Sequence, residues 1–256
     1  MINENLNGQE SVATSAVETI DFTEFVKELG REYGEGIYES EGIETPEDLQ
    51  CQIDWADVNF YEGDSLSWML EDCDSPEIAA LFNDMEWEEY REYEHIFVEA
   101  AKEKMEECLG EWRNNLAADI VSDCEANIAT DTDNFFDSVK CYGIESYDQI
   151  DQIENLETKQ YVLERVKEVM EWTKWEIDNM YEKIGNLYGC SCVGPDDGFA
   201  VNLPIMKFFG FNESEYGYNN MSNCIDYMED KYEEVWGRLD EVEYQIESKQ
   251  RATISA

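Results

Sequence analysis

His95 is the only histidine in the chain, and it limits the nucleophilic chemistry that the sequence can support. Serine-type and cysteine-type triads need a histidine as general base, so any such site would have to use this residue. It lies in a helical pattern beside Glu92, Glu94 and Glu99, and no glycine-framed nucleophile exists elsewhere. Glu92 and His95 have the Glu-x-x-His spacing of di-iron helical bundles, which need a second copy on another helix. We therefore expect neither a triad nor a di-iron centre.

Two other short motifs have the residue types of metal ligands, and both are incomplete. Residues 131–133 (Asp-Thr-Asp) begin like a calcium loop, but Phe135 and Phe136 stand where that loop needs an acid and a glycine. Cys190 and Cys192 are closely spaced, without a second pair or a nearby histidine to complete a zinc site. The sequence also has no phosphate-binding glycine loop. We expect no metal and no cofactor.

Carboxylates dominate the chain, with 62 Asp and Glu against 17 Lys and Arg and a net charge of −45. So many acids supply every spacing that a glycosidase pair could use, so no pair is indicated. A helical enzyme with a carboxylate site is one hypothesis, but the sequence has no enzyme signature and we expect no enzyme. The chain is also 43% hydrophobic and 13% aromatic. That is enough to fold, at the cost of repulsion among surface carboxylates.

The composition also bears on location and partners. Residues 1–19 are polar and lack the basic and apolar regions of a signal peptide, so we expect a disordered tail. No apolar run is long enough to span a membrane, and anionic headgroups would repel this surface. We expect no membrane binding and no direct nucleic-acid binding. The eight cysteines are then expected to be reduced thiols in the cytoplasm, several of them buried.

Apolar residues recur at helical spacing almost throughout, which predicts a mostly α fold, an elongated helical bundle with long amphipathic helices. A first helix is predicted from Phe22 to Ile37, interrupted in its pattern by several glycines. Thr45 and Ser75 each precede a proline and an acid, which indicates two helix starts. A short helix capped by Asp64 or Ser65 should separate them.

A long helix is predicted from Met85 to Ile128, with a bend at Gly110. One side of it is apolar and should be buried: Trp87, Tyr90, Phe97, Ala101, Met105, Cys108, Trp112 and Leu116. The opposite side carries a row of carboxylates: Glu88, Glu92, Glu99, Glu103 and Glu106. We expect this helix to present that row to solvent.

Two later segments, 163–187 and 225–246, have apolar residues that alternate by three and four over about three heptads. Such seams pair either within the chain as a hairpin or across a dimer axis, and we favour pairing within the chain. The connection between them is rich in glycine and proline, and we expect a loop there or a minor β-hairpin near 190–205.

The charge is unevenly distributed. The 59 residues between Arg31 and Arg91 contain 19 acids and no Lys or Arg, whereas Glu157 to Lys183 mixes seven acids with five bases. We therefore predict an acidic helical region at 20–130 and a helical support region at 131–256, which together form one or two domains. The carboxylates expected to contact a partner are Glu47, Asp48, Asp54, Asp57, Glu62, Asp64, Glu71, Asp72, Asp74, Glu88, Glu92, Glu99, Glu103 and Glu106.

The base-free interval from Arg31 to Arg91, with the carboxylate row that follows it, resembles the DNA-mimic class of phage and mobile-element anti-defence proteins. This class includes anti-restriction and anti-CRISPR proteins, shares no single fold, and is resembled here in composition alone. The resemblance implies an inhibitor that occupies the basic DNA-binding surface of a host defence or other DNA-processing protein, with a homodimer as one arrangement. The alternative is an acidic chaperone or assembly adaptor for basic nucleic-acid-binding proteins. An acidic surface adapted to a halophilic habitat would also fit the composition.

Overall fold

The computed structural model of the chain describes residues 21–62, 65–73, 75–190, 193–211 and 221–254. All regular structure within these residues is helical, with no strand, so the predicted mostly α fold is confirmed. The α-helices are α1 Phe22–Tyr38, α2 Pro46–Glu62, α3 Ser65–Glu71, α4 Pro76–Asn83, α5 Trp87–Val139, α6 Leu156–Leu187, α7 Ile205–Phe208 and α8 Met221–Ile254. The tail predicted at 1–19 lies outside the described residues.

The chain divides into two compact units, the first ending at Gly110 and the second beginning at Glu111. The division falls within α5, which continues as one helix through Gly110. The boundary that we predicted between residues 130 and 131 was based on the distribution of charge along the chain, and it stays a prediction.

The starts of α2 and α4 follow the predicted caps at Thr45 and Ser75, and α1 has a cap that was not predicted, Asp21. Asp21 accepts hydrogen bonds from the backbone N–H groups at the start of α1, and the Ser75 side chain caps α4. Thr45 and Asp48 cap α2 reciprocally: the Thr45 hydroxyl accepts from the Asp48 N–H at 3.2 Å, and the Asp48 carboxylate accepts from the Thr45 N–H at 2.9 Å. These side chains satisfy backbone donors that the first turn leaves without partners.

Helix α1 packs closely against the N-terminal part of α5. A Cβ added at Gly30 would lie 2.4 Å from the Phe97 carbonyl oxygen, and one at Gly34 would lie 2.4 Å from that of Ala101. Tyr33, between the two glycines, packs edge-on against the Phe60 ring of α2 at 5.1 Å. Gly30 and Gly34, two of the glycines that interrupt the apolar pattern of α1, therefore mark its contact with α5.

The second unit has one hydrophobic core, formed by the later part of α5, by α6 and α8, and by the segments that connect them. Along α6 the seam from Leu163 to Ile184 is buried, and α6 packs on α8 within the chain, as predicted. Helix α5 extends past the predicted end at Ile128 to Val139, because Phe135 and Val139 are buried in this core.

The hairpin considered near 190–205 is not formed in the residues described there, 190 and 193–205. Val201 and Leu203 are buried individually in the core of the second unit. The backbone there is satisfied by side chains: the Asn202 N–H donates to Glu125 at 2.8 Å, and the Tyr181 hydroxyl donates to the Phe199 carbonyl at 2.9 Å. Side-chain partners of this kind replace the ladder that a strand would need.

Candidate functional site

The carboxylate row of α5 is exposed to solvent in the first unit. At 100° per residue, its five members, from Glu88 to Glu106, point within about 60° of one another on the helix. They extend over about 27 Å of helix length at 1.5 Å per residue. The apolar side that was predicted opposite is buried at Tyr90, Phe97 and Met105. We name this set (Glu88, Glu92, Glu99, Glu103 and Glu106) the acidic row.

The acidic positions of α2 do not all face solvent in the same way. Glu47, Asp54 and Asp57 are exposed, whereas Asp48 is half-buried at the helix start. The Asp48 carboxylate accepts hydrogen bonds from the Thr45 hydroxyl, the Thr45 N–H and the Glu44 N–H, at 2.8, 2.9 and 3.2 Å. The bonds from Thr45 hold the pKa of Asp48 below its usual value of 3.8. Asp48 is therefore occupied in capping α2.

The remaining predicted acids surround the short helix α3. Glu71 and Asp72 are exposed at its end. Glu62 is the last residue of α2, and its side chain is not described. Asp64 and Asp74 lie outside the described residues.

The few bases of the first unit pair with some of these acids. Lys102 lies 3.3 Å from Asp57 and 3.8 Å from Glu99, and Arg31 lies 3.8 Å from Glu103. Burial opposes the charge on Lys102, but the hydrogen bond and the charge of Asp57, aided by Glu99, prevail and raise its pKa. The middle of the acidic row is thus partly neutralised within the protein. Among the described residues, Glu88, Glu92 and Glu106 make no ion pair.

Large aromatic side chains lie exposed near these acids. Trp55 is 56% exposed, Trp68 is 71% exposed and Trp87 is 66% exposed. Trp87 was predicted to be buried with the apolar side of α5, and that prediction is wrong. It is the first residue of the helix, where its ring stacks on Tyr90 at 5.7 Å and lies 5.8 Å from the Arg91 guanidinium.

The helical spacing of α2 indicates that Trp55 is exposed, although a large aromatic side chain is usually expected to be buried. Beyond Pro46 at its start, the buried residues described in α2 are Leu49, Ile53, Ala56 and Phe60, at helical spacing. Trp55 is two positions from Ile53, which places it about 200° away on the helix. Its exposure follows from that register.

The groups that could support catalysis or metal binding are not assembled. His95 is exposed and lines a surface groove with Lys27, Arg31 and Glu99, between α1 and α5. In the described part of the chain, no three His, Cys, Asp or Glu side chains are grouped to hold a metal ion. Among the thiols, Cys108, Cys124 and Cys224 are buried, as predicted for several cysteines.

Burial also suppresses the reactivity of one of these thiols. Loss of hydration, followed by the charges of Glu176 and Glu125, raises the pKa of Cys124 to about 12. The thiolate is the nucleophilic form, so Cys124 is held in its unreactive state at neutral pH.

No helix in the described ranges has an apolar stretch of the length required to cross a membrane. No protein-family model, curated protein or solved structure matches the chain.

Proposed function

We propose that this protein is a DNA-mimic inhibitor that binds the basic DNA-binding surface of a host defence or other DNA-processing protein and blocks access of DNA. The observation that carries the proposal is the acidic row, five exposed carboxylates along a single face of α5. Proteins that bind DNA place Lys and Arg against phosphates, and these side chains would pair with the row instead.

The charge spacing of the row supports this proposal. Five carboxylates over about 27 Å are separated by about 7 Å on average along the helix. One strand of duplex DNA carries one phosphate about every 3.4 Å. The exposed acids Glu47 and Asp54 of α2, Glu71 of α3 and Asp72 directly after α3 add further charge in the same unit. The row alone is less dense than DNA, so the mimicry needs several helices.

The exposed tryptophans provide affinity that salt does not screen. Trp55, Trp68 and Trp87 are large apolar surfaces among carboxylates, and tryptophan is enriched among the residues that dominate interface energies. An indole face also attracts a guanidinium, as Trp87 already does with Arg91. Arginines of a DNA-binding surface could therefore contact both the carboxylates and the rings.

The test combines identification of the target with competition against DNA. Immobilised protein is used to capture candidates from host lysate, with elution by salt and identification by mass. Each purified candidate is then bound to labelled duplex DNA, and the protein is titrated in at several NaCl concentrations. We expect displacement of the DNA, with an inhibition constant that weakens steeply as salt rises.

Matched charge variants locate the binding surface. The triple variant Glu88→Gln, Glu92→Gln, Glu106→Gln should weaken inhibition by about tenfold or more, which corresponds to about 1.4 kcal/mol. The triple variant Glu233→Gln, Glu241→Gln, Glu243→Gln removes the same charge from exposed positions of α8 and should change it by less than about twofold. Equal losses would instead favour a non-specific acidic chaperone. Simultaneous binding of DNA and protein to the target would refute mimicry.

A further inference from the structure

A groove runs between α6 and α8 in the second unit and shares no residue with the acidic row. Its first part is a cavity of about 390 Å³. Met170 and Met228 form an apolar floor, and Trp175 and Tyr232 form walls. Trp175 is 54% exposed, with its ring packed edge-to-face with that of Trp172 at 5.9 Å, so part of the indole is accessible to an incoming ligand. Methionine side chains are flexible and suit a surface that adapts to its ligand.

A second cavity, of about 610 Å³, adjoins the first. The two share Lys174, Asp178 and Glu229 in their linings, and the second continues along α6 to Asn186 and reaches Pro195 in the following segment. From Met170 to Asn186 the groove follows about 24 Å of α6. That length fits about four turns of a helix lying in the groove.

The rim of the groove is acidic. Glu171 borders the first cavity, Asp178 and Glu229 border both, and Glu182 borders the second. Among the described residues that line the two cavities, Lys174 is the single cation, and its ammonium forms an ion pair with Glu229 across the groove. Asp178 and Glu182 make no ion pair in the part of the chain that the structure describes.

We propose that this groove docks a basic amphipathic helix of a partner protein, with apolar residues on the methionine floor and Lys or Arg side chains against the acidic rim. Burying an apolar helix face in a groove is a recurring mode of peptide recognition. The negative charge of the groove favours a positively charged ligand. A second copy of this chain brings another −45, and nucleic acid or an anionic membrane would be repelled as well. The proposal does not depend on the acidic row or on DNA mimicry.

The ion pair between Lys174 and Glu229 gives the proposal a specific consequence. Lys174 occupies the place that a partner cation would take beside Glu229 and Asp178. Both side chains of the pair are half-exposed, so the bond can open at little cost. The partner cation therefore competes with Lys174, and removal of Lys174 should strengthen docking.

The experiment uses the full chain and three synthetic 18-residue peptides. The first peptide is an amphipathic helix with leucines on one face and lysines and arginines on the flanks. The second has the same composition with the amphipathic order scrambled, and the third has glutamate in place of the basic residues. Isothermal titration calorimetry at 0.15 M NaCl should show binding of the first, at least tenfold weaker binding of the second and none of the third.

Four variants of the chain, each checked for helicity by circular dichroism, locate the site. Trp175→Ala should weaken binding of the amphipathic peptide by about tenfold or more. Tyr244→Ala removes an exposed ring of α8 that lines neither cavity, and should have little effect. Lys174→Ala should tighten binding by about threefold or more. Lys183→Ala removes the same charge from α6 outside the groove and should change it far less.

Several results would overturn the proposal. Equal binding of the ordered and scrambled basic peptides would reduce the interaction to net charge. Equal effects of the two aromatic variants, Trp175→Ala and Tyr244→Ala, or of the two lysine variants, would place any binding elsewhere. Self-association of the chain in sedimentation equilibrium that Trp175→Ala abolishes would assign the groove to a second copy. The acidic-row variant separates the two proposals. If it no longer competes with DNA but still binds the peptide, the result concerns DNA mimicry and leaves the groove proposal standing.

Discussion

At the scale of single residues, Asp48 illustrates how a carboxylate can serve the fold instead of a partner. Its pKa is lowered by the hydrogen bonds from Thr45, so the folded state favours the charged form. A carboxyl with a depressed pKa stabilises the fold above its unfolded value, near 4, and loses that contribution as pH falls through the lower, folded pKa. We predict that Asp48→Ala lowers the thermal midpoint at pH 7, and that its difference from the parent shrinks at pH 3 and below.

Glu47→Ala is the matched control for this prediction. Glu47 is the neighbouring acid of the same first turn and is exposed, so its removal costs only a favourable interaction with the helix dipole. The thermal midpoints of both variants are measured from pH 7 down to pH 2. A loss for Asp48→Ala no greater than for Glu47→Ala, or one that does not depend on pH, would contradict a capping role.

The sequence predicted which side chains of α5 are exposed better than it predicted which charged side chains form ion pairs. The exposed face of α5 follows from spacing, because helical periodicity fixes which residues share a side. The ion pairs of Arg31 with Glu103 and of Lys102 with Asp57 join different helices, and helix spacing carries no information about such neighbours. For the same reason, the sequence could not separate the partly neutralised middle of the acidic row from its ends.

At the scale of helices, the contact between α1 and α5 depends on two glycines. Substitution of Gly34 by alanine would place a Cβ 2.4 Å from the Ala101 carbonyl oxygen, and the backbone there cannot move aside as a side chain can. The helices would have to separate, and overpacking of this kind costs about 1–3 kcal/mol. We predict a lower free energy of unfolding for Gly34→Ala, measured by urea denaturation.

Gly36→Ala tests the same substitution two residues later in α1. A Cβ at Gly36 meets nothing within 4 Å, so alanine should stabilise the helix by up to about 1 kcal/mol through its higher propensity. Opposite signs for the two variants are the expected result. Stabilisation by both would mean that α1 does not approach α5 as closely as described.

The helices themselves and the pairing of α6 with α8 were largely predictable, but the other packing partners were not. Starts at Thr45 and Ser75 follow from capping chemistry, which is local in sequence. The end of α5 at Val139 depends on burial of Phe135 by α7, where the ring of Phe208 lies 5.1 Å away. The hairpin prediction near 190–205 failed for a similar reason, because Glu125 and Tyr181 satisfy backbone groups that a strand would otherwise have paired.

At the scale of the whole molecule, the charge of −45 favours binding to a basic partner but destabilises the isolated fold through repulsion. Repulsion among carboxylates is strongest when salt is low, since the Debye length is about 30 Å at 0.01 M and about 3 Å at 1 M. We predict that the thermal midpoint of the isolated protein rises by at least about 5 °C between 0.01 and 1 M NaCl, measured by circular dichroism. Binding to a basic partner should weaken over the same range.

Sodium sulfate at matched ionic strength is the control. It screens charge as NaCl does, but its exclusion from the protein surface also strengthens apolar burial. Midpoints that follow ionic strength in both salts would support relief of repulsion as the cause. A midpoint independent of NaCl would contradict it and imply that internal pairs, such as those of Lys102 and Lys104, already balance the field. A basic partner supplies the missing positive charge directly, so it should raise the midpoint most at low salt, where the isolated chain is least stable.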